Sequence, residues 1–362
     1  MTLAQRIFFP LVLALSLGSC RNPLDVRGEF LAGTSRNRQI GIVLDSAGRS
    51  LLLFQLGNPE RRESINLPGN GAATPVDFAI RNYDAAVALG DAGAVALVDL
   101  AVDSNDRRTD RVAAFPGGGR VTAVAFVNQD TVLAADAGGT VAQIAFADGV
   151  GSTARTVAVA SGARKILVAL DRAYILSDNS GGEGVITVLN SHTLEVLATV
   201  PTGGRNPRDM TLGSADRLFV INAGQSPLGG SLSLISALNA ELRETIPGMG
   251  TEPSRVFADA RGRVYISSRA YGTLVWDIRR RDFLEDHGPG RPVCDAPCRG
   301  ATDTRSNEQG DLYQLTPGNG GASLVRIWSY REGEGYRNPD DGPASIAAGG
   351  YATRIQIRRF AR

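Results

Sequence analysis

Seven glycines, each opening a short alternating apolar run, recur along the chain at Gly48 (GRSLLLFQL), Gly93 (GAVALVDL), Gly139 (GTVAQIAF), Gly184 (GVITVLN), Gly230 (GSLSLIS), Gly272 (GTLVWDI) and Gly321 (GASLVRIW). Their spacings are 45, 46, 45, 46, 42 and 49 residues. A period of this length marks a repeat architecture, in which units stack because none can bury its apolar face alone. Before most of these runs lies another short β-like run, as in AAVALGDA, DTVLAADA and RLFVINAG, and before that a third such as VDFAIR. A fourth follows, such as RESINLP or RETIPGMG. Four strands between Gly, Asp, Asn and Pro turns in about 45 residues is the unit of a propeller blade. The expected fold is therefore all-β: a seven-bladed β-propeller with four-stranded blades over residues 39–362. Blade one lacks an innermost strand of its own. GGYATRIQI, near the C-terminus, aligns with GTEPSRVFA and reads as that strand, so a C-terminal innermost strand is expected to close the ring and protect its edges.

The N-terminus carries a separate signal. Arg6 precedes an apolar run from Ile7 to Leu17, which is half the ~20 residues needed to cross a bilayer core. Such a run reads as a secretory leader. Leu17-Gly18-Ser19-Cys20 resembles a bacterial lipobox, whose cysteine is acylated and becomes the mature N-terminus. Residues 1–19 are then a lipoprotein signal peptide, Cys20 the lipidation site and 20–38 a polar tether. The expected location is the bacterial cell envelope, anchored through Cys20 and facing the periplasm. In the lipoproteins this resembles, Arg21 after the cysteine favours the outer membrane. A plain signal peptide with an incidental cysteine is the alternative.

With 38 basic and 37 acidic residues, a net charge of +1 leaves no cationic surplus for nucleic acid, which is not an expected partner. Two histidines, His192 and His287, argue against a His-rich metal enzyme. No Walker A loop, G-x-S-x-G elbow or H-E-x-x-H is present. The Arg/Asp-rich insertion holding Asp103, Asn105 and Asp106 breaks the calcium-loop spacing, with Arg107 and Arg108 where ligands would fall. Asp99, Asn190 and Asp277 share a strand-end position and read as turn caps.

Two stretches carry a family resemblance: PTGGRNPRDMTLGSADRLFVINAG and PGMGTEPSRVFADARGRVYISSRAYGTLVWDI. Each runs Gly-x-x-Pro or its near variant, an apolar strand, a polar turn and a YVTN-like strand. The chain resembles the YVTN-repeat, YncE-like seven-bladed propellers over essentially its whole mature length, with a weaker likeness in blades one, three and seven. The resemblance implies the fold and says little about activity, because members mostly have no assigned chemistry.

With Cys20 acylated, Cys294 and Cys298 in RPVCDAPCRG form an even pair in an exported chain, and a disulfide is expected. A redox pair would normally show two intervening residues, and a zinc site would need His287 and a fourth ligand. Propeller ligands sit at one face of the central channel. There the loops into innermost strands offer Asp77, Lys165, Asp209, Arg255, Asp303 and Arg354, and the loops between second and third strands offer Asp91, Asp136, Asp178, Asn179, Asn222, Arg269 and Asn319. These are the candidate binding residues. No cofactor and no catalytic residue is assigned. The expected function is a non-enzymatic envelope lipoprotein, a binding or scaffold module for an envelope protein or glycan. The alternative is a propeller enzyme, a calcium-dependent lactonase-like hydrolase or a quinone-dependent dehydrogenase.

Overall fold

The computed structural model describes residues 39–69, 73–100, 111–147, 150–214, 216–225, 229–284, 287–294, 298, 300–317, 321–339 and 345–360. Residues 1–38, where a signal peptide, Cys20 and a tether are expected, the 103–106 insertion and Asn319 lie outside them. Seven antiparallel sheets are arranged as blades, and the chain is a seven-bladed β-propeller. Blade one runs from the channel outward as Ala352–Arg359, Gln39–Asp45, Ser50–Gln55 and Asn58–Asn66. Its innermost strand is C-terminal and its other three are N-terminal, as the alignment of GGYATRIQI requires. The innermost strands of blades two to seven are Asp77–Arg81, Val121–Phe126, Ala163–Ala169, Pro207–Leu212, Pro253–Ala258 and Asp303–Ser306. Each of the seven period glycines lies within two residues of the start of the third strand of its blade.

The middle strands are buried on both faces, with successive residues packed against opposite neighbours. Each of seven apolar clusters is shared by two adjacent blades: Phe78 and Ile80 of blade two pack on Ile40, Ile42 and Leu44 of blade one, for example. The seventh cluster joins the two ends of the ring, with Val43, Phe54 and Ile355 of blade one against Tyr313, Leu315 and Val325 of blade seven. Asp45 adds a polar clasp at the same seam. Its carboxylate accepts N–H bonds from Ala47 and Gly48 on one side of the closure and from Gly350 and Tyr351 on the other, at 2.9–3.1 Å. Gly349 sits here at φ 96°, and a Cβ would lie 2.1 Å from Asp45 Oδ2, so no larger residue fits the clasp.

The outer edges of blades six and seven depart from one continuous fourth strand. In blade seven, Gly335–Arg337 and Ser345–Ala347 pair with opposite ends of the third strand, Ser323–Arg331, and together make a broken outer strand. In blade six the fourth strand is only Asp282–Phe283, and the rest of the edge is completed by His287, whose carbonyl accepts from Val275 N, and by Val293, which exchanges two bonds with Thr273. The insertion behind the 49-residue spacing is thus an edge cover. Cys294 and Cys298 lie in it as a disulfide, with Cα atoms 5.3 Å apart.

Candidate binding site at the channel mouth

The innermost strands share a local irregularity that positions the site. Their pairing to the second strand skips one residue at Thr122, Arg164, Arg208, Ser254 and Thr353. In blades two and seven, Val76 and Thr302 donate to the same carbonyls, of Ala88 and Leu315, that face Asp77 and Asp303 across the pairing, so they occupy the equivalent place. A β-bulge sends consecutive side chains to one side of a strand and re-aims both. The bulged residues Thr122, Arg164, Arg208 and Ser254, with Val76, line the open mouth of the channel. The residues that follow them form a ring beneath it: Asp77, Ala123, Lys165, Asp209, Arg255, Asp303 and Arg354.

That ring collects all six residues expected from the loops into innermost strands. Asp77, Asp209, Asp303 and Arg354 are buried. Lys165 Nζ lies 3.1 Å from Asp77 Oδ1, and Arg354 contacts both Asp77 Oδ1 and Asp209 Oδ2 at 3.3 Å. Asp303 pairs with Arg305 of its own strand. The same carboxylates have a second task. Asp77 accepts from Val124 N at 3.4 Å, Asp209 from Val256 N at 3.3 Å and Asp303 from Ile355 N at 3.0 Å, in each case across to the innermost strand of the following blade. An innermost strand has one edge without a β partner, and these aspartates satisfy amides on it.

Burial pushes the Asp209 carboxyl up, but Arg354, Arg255, Lys165 and Arg305 around it outweigh that and hold it below the usual carboxylate range. Burial opposes the charge on Arg354 as well, and the carboxylates of Asp77, Asp209 and Asp303 overcome it and raise its pKa. Lys165 is pulled below the ordinary lysine value by burial, against the attraction of Asp77. Arg255 fares differently. Burial and then the like charge of Arg354 lower it to about 10, against Asp209, Asp303 and Asp77. Its Nη1 donates to the carbonyls of Arg208 and Ser254, at 3.5 and 3.3 Å.

The residues expected from the loops between second and third strands separate into two groups. Asp91 and Asp178 pair with mouth arginines, Asp91 with Arg120 at 3.3 Å and Asp178 with Arg164 Nε at 3.0 Å. Arg269 lies on the rim itself. Asp136, Asn179 and Asn222 serve the turns and blades instead. Asp136 accepts from Thr140 N, Asn222 donates to Ser231 and Ser233, and Asn179 sits exposed at φ 49°. The sequence reading missed Arg164 and Arg208, because only the bulge decides which of two consecutive residues faces the mouth; it also missed Arg120, which precedes the innermost strand of blade three, and Arg305, which lies within that of blade seven.

Above the ring the mouth holds a cavity of about 1000 Å³, at the upper end of the size of small-ligand sites. Among the described residues, no three His, Cys, Asp or Glu side chains gather as a metal-donor set. No helix among them is long and apolar enough to cross a membrane.

No protein-family model and no curated protein matches this chain. Solved structures do. A protein of unknown function from Desulfotomaculum acetoxidans superposes with a TM-score of 0.59 at 14% identity, covering 86% of this chain and 98% of its own. The computationally designed Ika8 protein gives 0.60 at 13%, covering 92% and 95%. The Dos1 propeller gives 0.59 at 13%, covering 86% and 85%. At such identities the likeness is one of fold alone.

Proposed function

We propose that this protein is a non-enzymatic binding or scaffold module of the bacterial cell envelope, a lipoprotein tethered through Cys20, which engages an envelope protein or glycan at the channel mouth. On the two stretches quoted above, it is a distant member of the YVTN-repeat propellers. The observation that carries the binding reading is the commitment of the channel carboxylates. General acid–base work needs a group free to exchange a proton near the working pH. Asp77, Asp209 and Asp303 are each engaged by a cation and by an edge amide, which favours a fixed floor beneath an open cavity. No observation favours the lactonase or dehydrogenase reading over it.

The test has two parts. Labelling with a fatty-acid analogue in a Gram-negative host should require Cys20. A photocrosslinker at Thr251, on the mouth rim, should yield a discrete envelope adduct that the same probe at Thr199, exposed on the outer strand of blade four, does not. Label retained by Cys20→Ala would overturn the anchoring. Equal adducts from both positions, or metal-dependent turnover of lactones by the full chain, would overturn the binding reading.

A further inference from the structure

We propose that the channel mouth is an oxyanion receptor in which Arg208, Arg255 and Arg269 hold a phosphate or carboxylate group of the ligand. This rests on reading the mouth as a binding surface and specifies its chemistry. Among the described residues, the charged side chains lining the cavity are six arginines, Arg120, Arg164, Arg208, Arg255, Arg269 and Arg354, and one acid, Glu252. Three of the arginines are neutralised by named carboxylates: Arg120 by Asp91, Arg164 by Asp178, and Arg354 by Asp77 and Asp209. The other three have no carboxylate at ion-pair distance among the described residues.

These three come together from neighbouring blades. Arg208 is the bulged residue of blade five's innermost strand, Arg255 follows the bulge in blade six, and Arg269 opens the turn directly after the second strand of blade six. Arg255 donates to the main-chain carbonyl of Arg208, while its Nε is shielded from solvent with no hydrogen-bond partner among the described residues. Arg208 is half-buried, and burial followed by the guanidiniums of Arg164 and Arg269 lowers its pKa against the weaker pull of Asp178 and Glu252. A chain whose overall charge is nearly balanced therefore gathers guanidiniums that repel one another at this mouth of its channel. An oxyanion relieves that repulsion, and the planar guanidinium fork matches its geometry. A neutral glycan would gain nothing from it.

Binding to the purified full-length chain is measured by calorimetry at low ionic strength with pyrophosphate, citrate, trigalacturonate and, as a neutral control, maltotriose. At least one anionic probe should bind saturably and weaken as salt is added. Preference for pyrophosphate assigns phosphate, preference for citrate a free polycarboxylate, and preference for trigalacturonate an acidic glycan. Arg208→Gln and Arg269→Gln should each weaken binding about tenfold or more, the scale of a lost charge-assisted hydrogen bond. Arg243→Gln, on the outer strand of blade five, should leave it unchanged. Without ligand, Arg208→Gln should melt no lower than the parent, because it removes repulsion, and its melting temperature should rise less on adding the anion. No saturable anion binding at about 10 mM, equal affinity for maltotriose, or unchanged affinity in both variants would overturn the proposal. If the Thr251 adduct still forms under any of those outcomes, the binding module stands and only its oxyanion chemistry falls.

Discussion

Arg354 joins Asp77 on the neighbouring blade to Asp209 across the channel, and its own N–H neighbour Ile355 is held by Asp303. Removing one partner of a buried pair leaves the others charged in a poor solvent, which costs about 3–5 kcal/mol. Arg354→Met should therefore lower the unfolding free energy measured by urea denaturation by an amount on that scale, whereas Arg243→Gln should leave it within about 0.5 kcal/mol. The Asp209 carboxyl gives the same network a pH signature. Its folded pKa lies below the unfolded value of ~3.9, so its contribution is complete above that value and is lost as pH falls through the folded one. Urea titrations of parent and Asp209→Asn between pH ~5 and ~2 should show the parent losing stability more steeply. At this scale the sequence was partly legible. Asn190 and Asp277, at the strand-end position, do accept the two N–H bonds of a turn cap, because Asx chemistry is local. Arg208 was invisible as a mouth residue because Pro207, Arg208 and Asp209 look equivalent until the bulge assigns them different directions.

Among elements, the C-terminal strand Ala352–Arg359 is the most consequential. It pairs along Gln39–Asp45, contributes Ile355 to the cluster at the seam and supplies Arg354 to the ring. Deleting residues 352–362 would open blade one to the channel and strip partners from Asp77, Asp209 and Asp303 together. The truncated chain should lose its cooperative thermal transition, as seen by near-ultraviolet circular dichroism, and a transition like the parent's would count against the closure. This strand was readable because GGYATRIQI aligns with GTEPSRVFA, which holds the innermost strand of blade six. The outer edges of blades six and seven were less so, since His287, Val293 and the two short pieces at 335–337 and 345–347 each contribute only a few bonds and leave no period. Outer strands are held from one side, so pairing there tolerates breaks that an inner strand would not.

For the whole molecule, the ring beneath the mouth has an order that no single blade reveals. From blade one onward it reads Arg354, Asp77, Ala123, Lys165, Asp209, Arg255 and Asp303, with opposite signs on neighbouring blades everywhere except at Ala123. Lys165 reaches past that alanine to Asp77. Ala123 is fully buried, so either charge there would meet a like charge on one side, Asp77 or Lys165, while losing water. Ala123→Asp and Ala123→Lys should both destabilise by several kcal/mol in chemical denaturation, and Ala123→Ser far less. Equal tolerance of all three would show that the ring order has no energetic role. Two signs cannot alternate around an odd circle, and seven is odd. The alanine resolves this parity problem by abstaining, so the blades of this propeller are not interchangeable beads. Duplicating any charged blade would set two equal signs side by side, while copying or excising blade three leaves the alternation whole, which makes blade three the point at which such a ring can change its number.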